Sequence, residues 1–284
     1  MKTHTTRTPA DTCLLCRKNS ADNTRAHIIT KLLTKGIFGV NKKGEAYVMV
    51  VKGEVVSFLK KPEQDTPTED YMVCTPCEKR MEKVETYIGN SFYQRYRKAK
   101  YKAEFSITYQ QLLGPRNFNF LKAKSVDPHL FSLFVWMQLW RASATQSEAF
   151  KDVKLPTPMD ENLRVLLDSC LGESHAKTVE YCKKHAELFE GFVYNVLMPQ
   201  GKFNPETQIV GGRTVTEGLY LIYASGLLFV CRLGDSSNSG IGFNDANKPV
   251  EMAMMRVADW DEFKWKAMLP PNLHPYIASM QEAV

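Results

Sequence analysis

Cys13-Leu-Leu-Cys16, Ala26-His27-Ile28-Ile29 and Cys74-Thr-Pro-Cys77-Glu78 are the three pieces of the stretch 13–78 around which the chain is organised. A C-x-x-C turn places two thiolates on one side of a tight knuckle. Two such knuckles this far apart make a tetrahedral four-thiolate site, which suits Zn2+ and leaves no coordination position open. A closed site of Cys13, Cys16, Cys74 and Cys77 is structural. Any chemistry then has to come from what the metal positions, and His27 is the first candidate.

The remaining cysteines, Cys170, Cys182 and Cys231, lie in apolar or helical surroundings and read as buried free thiols. A total of seven is odd, and the chain of 284 residues is long, so the pattern is not a disulfide framework. A reducing compartment is expected. The N-terminal Met-Lys-Thr-His-Thr-Thr-Arg has no apolar core, so no signal peptide is expected. The most apolar segment, Leu130 to Leu139, is about half the length of a bilayer span. These features predict a soluble, cytoplasmic protein with no membrane partner. The hydrophobic content of 44% supports a sizeable core, and a formal charge of +6 permits nucleic-acid contact without arguing for it.

Outward from the knuckles, residues 1–12 read as a polar tail. A short helix is expected from Asn23 or Thr24 to Lys35, with His27 in its first turn and Gly36 ending it. Ala46–Leu59 is rich in β-branched residues around a turn at Lys52-Gly53, which predicts a β-hairpin. A long helix is expected from Glu78 to about Lys102, with Met81, Val84, Tyr87 and Ile88 on one face and a bend or break at Gly89-Asn90. Knuckle, hairpin, knuckle, helix is the order of a treble-clef zinc domain.

The end of that helix interleaves Arg95, Arg97, Lys98, Lys100 and Lys102 with Phe92, Tyr93, Tyr96 and Tyr101. This is either a solvated face with tyrosines packed beneath it or a surface that tracks phosphates, with DNA or RNA as partner. Residues Tyr109 to Lys124 read as irregular. Asp127-Pro128 then opens a helix to Arg141 that is apolar nearly all round and should be the buried centre of a second domain. A buried Arg141 would demand a carboxylate or carbonyl partner.

Helices follow at Asp160–Leu171 and at about Ser174–Phe189, with His175 and His185 as surface or capping residues. Strands are expected at Phe192–Met198, Gln208–Val215, Leu219–Tyr223, Leu227–Arg232 and Met252–Val257. The Gly/Ser/Asn/Asp loop from Gly234 to Asn247 holds no phosphate-cradling motif. Asp259 can cap a last helix to about Met268. The expected fold is α+β: residues 1–104 a treble-clef zinc domain with its basic helix, and residues 105–284 an α+β domain with an antiparallel sheet.

The N-terminal stretch resembles HNH-type (ββα-metal) zinc domains of a bacterial branch reading C-x2-C, S-H-I-I-P-K and C-x2-C-E. Here the middle motif is Ala26-His27-Ile28-Ile29-Thr30-Lys31, and the last is Cys74-Thr75-Pro76-Cys77-Glu78 with Glu85 about two turns on. The resemblance extends to Leu130–Ser143, Phe150, Val153 and Leu163-Arg164. In active members the matching histidine is a general base that activates water on a phosphodiester, beside a single divalent ion. The resemblance therefore gives His27 the base role and Glu78 and Glu85 the task of holding Mg2+ or Mn2+. Two departures stand out. Ala26 occupies a place usually held by a ligating residue, and Glu69 a place often held by a base-orienting Asn. The resemblance implies an HNH-like nuclease or a nucleic-acid-binding effector, with anti-phage defence as a setting by analogy. The alternative is a zinc-stabilised module without turnover that binds a protein partner.

Overall fold

The helix after the second knuckle starts where that knuckle places it: Cys74 is the N-cap residue, and Pro76 occupies the first turn. In the computed structural model, the residues described are 7–30, 33, 46–52, 55–61, 68–96, 98–110, 118–200, 210–224, 226–234, 244–256, 259–260, 263 and 266–267. Near the N-terminus, β1 (Ala26–His27) pairs antiparallel with β4 (Thr68–Glu69), and β2 (Ala46–Lys52) pairs with β3 (Val55–Lys61) as the expected hairpin. Then come α1 (Thr75–Ile88), β5 (Phe105–Gln110), β6 (Phe118–Ala123) and α2 (Pro128–Ala144). They are followed by α3 (Thr157–Cys170), α4 (His175–Lys184), β7 (Phe192–Gln200), β8 (Val210–Thr216), β9 (Leu219–Ala224), β10 (Leu227–Leu233) and β11 (Val250–Arg256).

α2 is the buried centre the sequence predicts. The Asp127 carboxylate accepts from the backbone N–H groups of His129 and Leu130, and Pro128 fits a turn that needs no donor there. Every residue from Leu130 to Ser143 is buried. One face of the sheet lies against α2. Phe131 stacks on Tyr194 at 6.0 Å, Trp136 meets Phe192 edge-on at 5.4 Å, and Phe134 meets Phe229 at 6.2 Å.

The sheet has seven strands in the order β5-β6-β11-β7-β10-β9-β8. All pairings are antiparallel except β11 with β7. Strand alternation sends Tyr220 and Ile222 toward the helices, and Leu221 and Tyr223 the other way. On that second face Trp260 stacks on Tyr223 at 6.1 Å. One hydrophobic cluster runs without interruption from Cys13 through α1 and α2 to Met254 on the sheet. The knuckles and the sheet thus share a core.

Three expectations change. His27 does not open a helix. Arg25 adopts a left-handed φ of 58°, its N–H donates to the Asp70 carboxylate at 2.7 Å, and the chain leaves it extended as β1. The rest of the expected helix falls largely outside the described residues. The helix after Cys77 ends as an α-helix at Ile88, passes into a π turn over Gly89–Tyr93, and is followed by a 3-10 turn over Ala99–Glu104. The Ser91 hydroxyl donates to the Tyr87 carbonyl at 2.7 Å, and the wider turn delivers Phe92 to the core against Phe105 and Phe131. Residues 109–124 are not irregular throughout: β5 and β6 bracket them, and β6 takes its register from β11 far along the chain. The other strands fall close to their expected places, and the last helix lies largely outside the described residues.

Candidate metal centre

The first knuckle is built by the backbone. The Arg17 N–H donates to the Cys13 carbonyl at 3.0 Å, which closes the turn, and Arg17 itself sits at φ 53°. The Cys13 N–H donates to Asn19 O at 2.8 Å. In the second knuckle the Glu78 N–H donates to Cys74 O at 3.0 Å, and the Asp22 carboxylate receives the Thr75 N–H at 2.7 Å, which joins the two knuckles.

Together they bury four sulfurs that all lie within 4.8 Å of one another, with Cys16 and Cys74 at 3.8 Å. A tetrahedron with Zn–S bonds of about 2.3 Å has S···S edges of about 3.8 Å, so this donor set fits zinc. All seven cysteines are free of disulfides and buried.

Four thiolates around a bound Zn2+ would carry excess negative charge, and two donors are placed to face it. The Arg80 guanidinium lies 3.2 Å from Cys77 Sγ, and the Asn19 amide 3.7 Å from Cys74 Sγ. Arg80 also donates to the Asp168 carboxylate at 2.7 Å and to the carbonyls of Asp168 and Leu171, so α3 holds it in place. Arg164 on α3 donates to Leu15 O at 2.6 Å, inside the first knuckle, while Glu161 grips Arg164 and Arg17. The thiols share protons among themselves. A hydrogen bond from Cys77 pulls the Cys13 thiol down to about 4, and the same bond pushes Cys77 up. Burial raises Cys74.

Glu78 and Glu85 are brought together, but around a cation. Arg141 is fully buried on α2. Its Nη2 donates to both Glu78 oxygens at 3.2 and 3.1 Å, and its Nη1 donates to Glu85 Oε1 at 2.5 Å. This supplies the partner that a buried Arg141 demands. Burial pushes the Glu85 carboxyl up, Arg141 pulls it down, and the Glu78 charge adds to the rise. The net shift is upward. Thr30 also bonds Glu85, and its N–H donates to Gln138 Oε1 on α2 at 3.2 Å.

His27 is half-buried on β1, opposite Thr68. Among the described residues, the four cysteines are the only group of three or more His, Cys, Asp or Glu side chains placed to share an ion. Glu69 accepts from the Thr145 hydroxyl at 2.5 Å and from the Gln146 N–H at 2.8 Å.

The basic run divides. Arg95 is held by Glu104 at 3.0 and 3.1 Å and lies over the Tyr101 ring. Lys98, Lys100 and Lys102 are exposed, and Lys100 Nζ lies 4.8 Å from the centre of the same ring. Arg97 lies outside the described residues. Among the described residues, no helix is long and apolar enough to cross a membrane.

Sequence reasoning missed Arg80, Arg164 and Asn19. Arg80 carried a signal, since it follows Cys77 by three residues on one helix and so shares its face. Asn19 lies in the first knuckle but its amide reaches Cys74 of the second, and Arg164 comes from α3, so neither contact shows in local spacing. Comparison with family models, with curated proteins and with solved structures returned no match.

Proposed function

We propose that this chain is a zinc-organised nucleic-acid-binding protein of HNH-like, treble-clef ancestry, in which the carboxylates that would hold a catalytic ion serve the fold instead. The observation that carries the reading is Arg141. It lies between Glu78 and Glu85 and offsets one of their two charges, so a divalent ion would have to displace a buried guanidinium. Ala26, beside His27, offers no ligand.

What remains for nucleic acid is a binding surface. Lys98, Lys100 and Lys102 stand exposed around Tyr101, which suits backbone phosphates with a ring nearby for stacking. The zinc centre keeps that surface in place from below, through α1 and the Phe92 contacts with the core.

Titrating labelled single- and double-stranded DNA and RNA with the zinc-loaded protein, across a salt series, tests this. Binding is expected to weaken with salt. Replacing Lys98, Lys100 and Lys102 together with Ala should lower the slope of log K against log salt by about 2 to 3. Unchanged binding in that variant returns the three lysines to a solvated face. Cleavage in Mg2+ or Mn2+ that disappears in His27→Ala would replace the reading with a nuclease.

A further inference from the structure

The two edges of the seven-stranded sheet are treated differently. The β8 edge is covered. The Thr214 N–H and hydroxyl both donate to Asp152 O, at 2.9 and 2.8 Å, and β8 carries a register shift between Thr214 and Thr216. The β5 edge has neither device. Its six pairs with β6 run without a shift, and its sequence Phe105-Ser-Ile-Thr-Tyr-Gln110 has no charge and no proline. These are the usual means of blocking an edge. Among the described residues, no strand pairs with its outer side. Ile107, on this strand, is 57% exposed.

The backbone fixes which groups face outward. Lys124 N–H donates to Glu104 O at 2.9 Å, so Glu104 belongs to a hydrogen-bonded pair with β6. Antiparallel pairs alternate, so Ser106, Thr108 and Gln110 turn their amides toward β6, while Phe105, Ile107 and Tyr109 turn theirs outward. The Phe105 N–H is already used by Lys102 O. Among the described residues, the open groups are therefore the N–H and C=O of Ile107 and of Tyr109, with the carbonyl of Phe105 beside them.

From this we infer that β5 is the docking edge for a second copy of this chain, antiparallel across a two-fold axis beside Thr108. In that register Ile107 faces Tyr109 of the other copy, and Tyr109 faces Ile107. Each pair exchanges two hydrogen bonds, so the N–H and C=O groups of Ile107 and Tyr109 are satisfied by the same four groups of the twin strand, and the Phe105 carbonyl stands outside these two pairs. An uncharged strand sets no like charges opposite each other within that pairing. Thr108 meets its twin in a close, non-hydrogen-bonded pair, with Cα atoms about 4.5 Å apart. The interface is self-complementary, as a two-fold axis requires, and it is independent of the nucleic-acid reading.

The test is sedimentation of the zinc-loaded full chain from about 1 to 100 μM, the range of a modest interface, with two sets of variants. The 32.4 kDa chain is expected to approach twice its mass as concentration rises. Ile107→Lys places a charge on the exposed edge and should stay monomeric at every concentration while keeping its zinc. Thr108→Cys should form a disulfide-linked dimer on mild oxidation, because about 4.5 Å between Cα atoms lies within disulfide range. Ser106→Cys should not, since its twin lies four residues away along the strands, about 13 Å. A wild type that stays monomeric overturns the inference, whether or not hydrogen exchange finds the Ile107 and Tyr109 amides protected by another part of the same chain. A dimer that survives Ile107→Lys and leaves Thr108→Cys uncrosslinked overturns it too, by placing the contact elsewhere.

Discussion

Arg141 Nη2 lies 3.1 Å from Glu78 Oε2, and this contact ties the residue after the last knuckle cysteine to the buried helix of the sheet layer. One cation and two carboxylates meet there with little water, because Arg141 is 1% exposed and Glu85 14%. Removing the cation alone leaves two carboxylates without compensation. Arg141→Leu should therefore lower the unfolding free energy of the zinc-loaded protein by about 3 to 5 kcal/mol in urea titration. Adding Glu78→Gln and Glu85→Gln to that variant should restore much of the loss. Equal stability of Arg141→Leu and wild type would remove the structural role assigned to the cluster.

The cluster holds one negative charge more than it neutralises, and this predicts a pH dependence. Burial leads the upward shift of Glu85 from its ordinary value of 4.5, so the folded state holds this proton more tightly than the unfolded chain does. The Glu85 contribution is thus most favourable at low pH and is lost as pH rises through the raised value. Wild type should gain stability relative to Glu85→Gln as pH falls through the raised value, with the gain levelling off below about 4.5. A constant difference across that range would mean that Arg141 fully compensates the burial.

Arg80 reaches Cys77 Sγ at 3.2 Å while anchored by Asp168. A donor of this kind disperses charge from the metal–thiolate group. Arg80→Ala should weaken zinc binding by about 10- to 100-fold in competition with a chromogenic chelator. Arg80→Lys should recover part of it, by restoring charge without the fork that also grips α3. An unchanged affinity in Arg80→Ala would make that contact a matter of packing alone.

Gly218 joins β8 to β9 at φ +78°, and a Cβ there would lie 2.6 Å from Leu233 O. Its own carbonyl accepts the Leu233 N–H at 2.8 Å, so the backbones cannot separate without losing that bond. Gly218→Ala should cost about 1 to 3 kcal/mol by thermal unfolding. A variant as stable as wild type would show that this turn relaxes.

The four-cysteine cluster is legible because its information is local: two C-x-x-C turns fix four sulfurs up to the fold of the chain between them. The buried helix was legible for the same reason, with Asp127-Pro128 as a start signal and apolar residues on every side. The demand for a partner at Arg141 was legible too, but the two carboxylates that meet it had been read by resemblance as ligands for an ion. Sequence alone does not say whether an acid on α1 faces a metal or an arginine from α2 (residues 78 and 141 are distant in the chain). His27 was misplaced on a helix because the apolar spacing of Ile28, Ile29, Leu32 and Leu33 outweighed any sign of the left-handed turn at Arg25, which the Asp70 carboxylate and the β4 pairing hold in place. β5 and β6 escape sequence reasoning because short strands owe their stability to neighbours, and one neighbour of β6 is β11, far along the chain.

The account rests on zinc as the organiser of residues 13–77, and metal content tied to stability tests that most directly. Elemental analysis of the purified protein should find one zinc per chain, and its loss in Cys13→Ser or Cys77→Ser, or to a strong chelator, should bring cooperative unfolding of the region and exposure of the shared core. A metal-free protein with the same thermal midpoint as the untreated one, or a Cys77→Ser variant that keeps both its zinc and its stability, would contradict it.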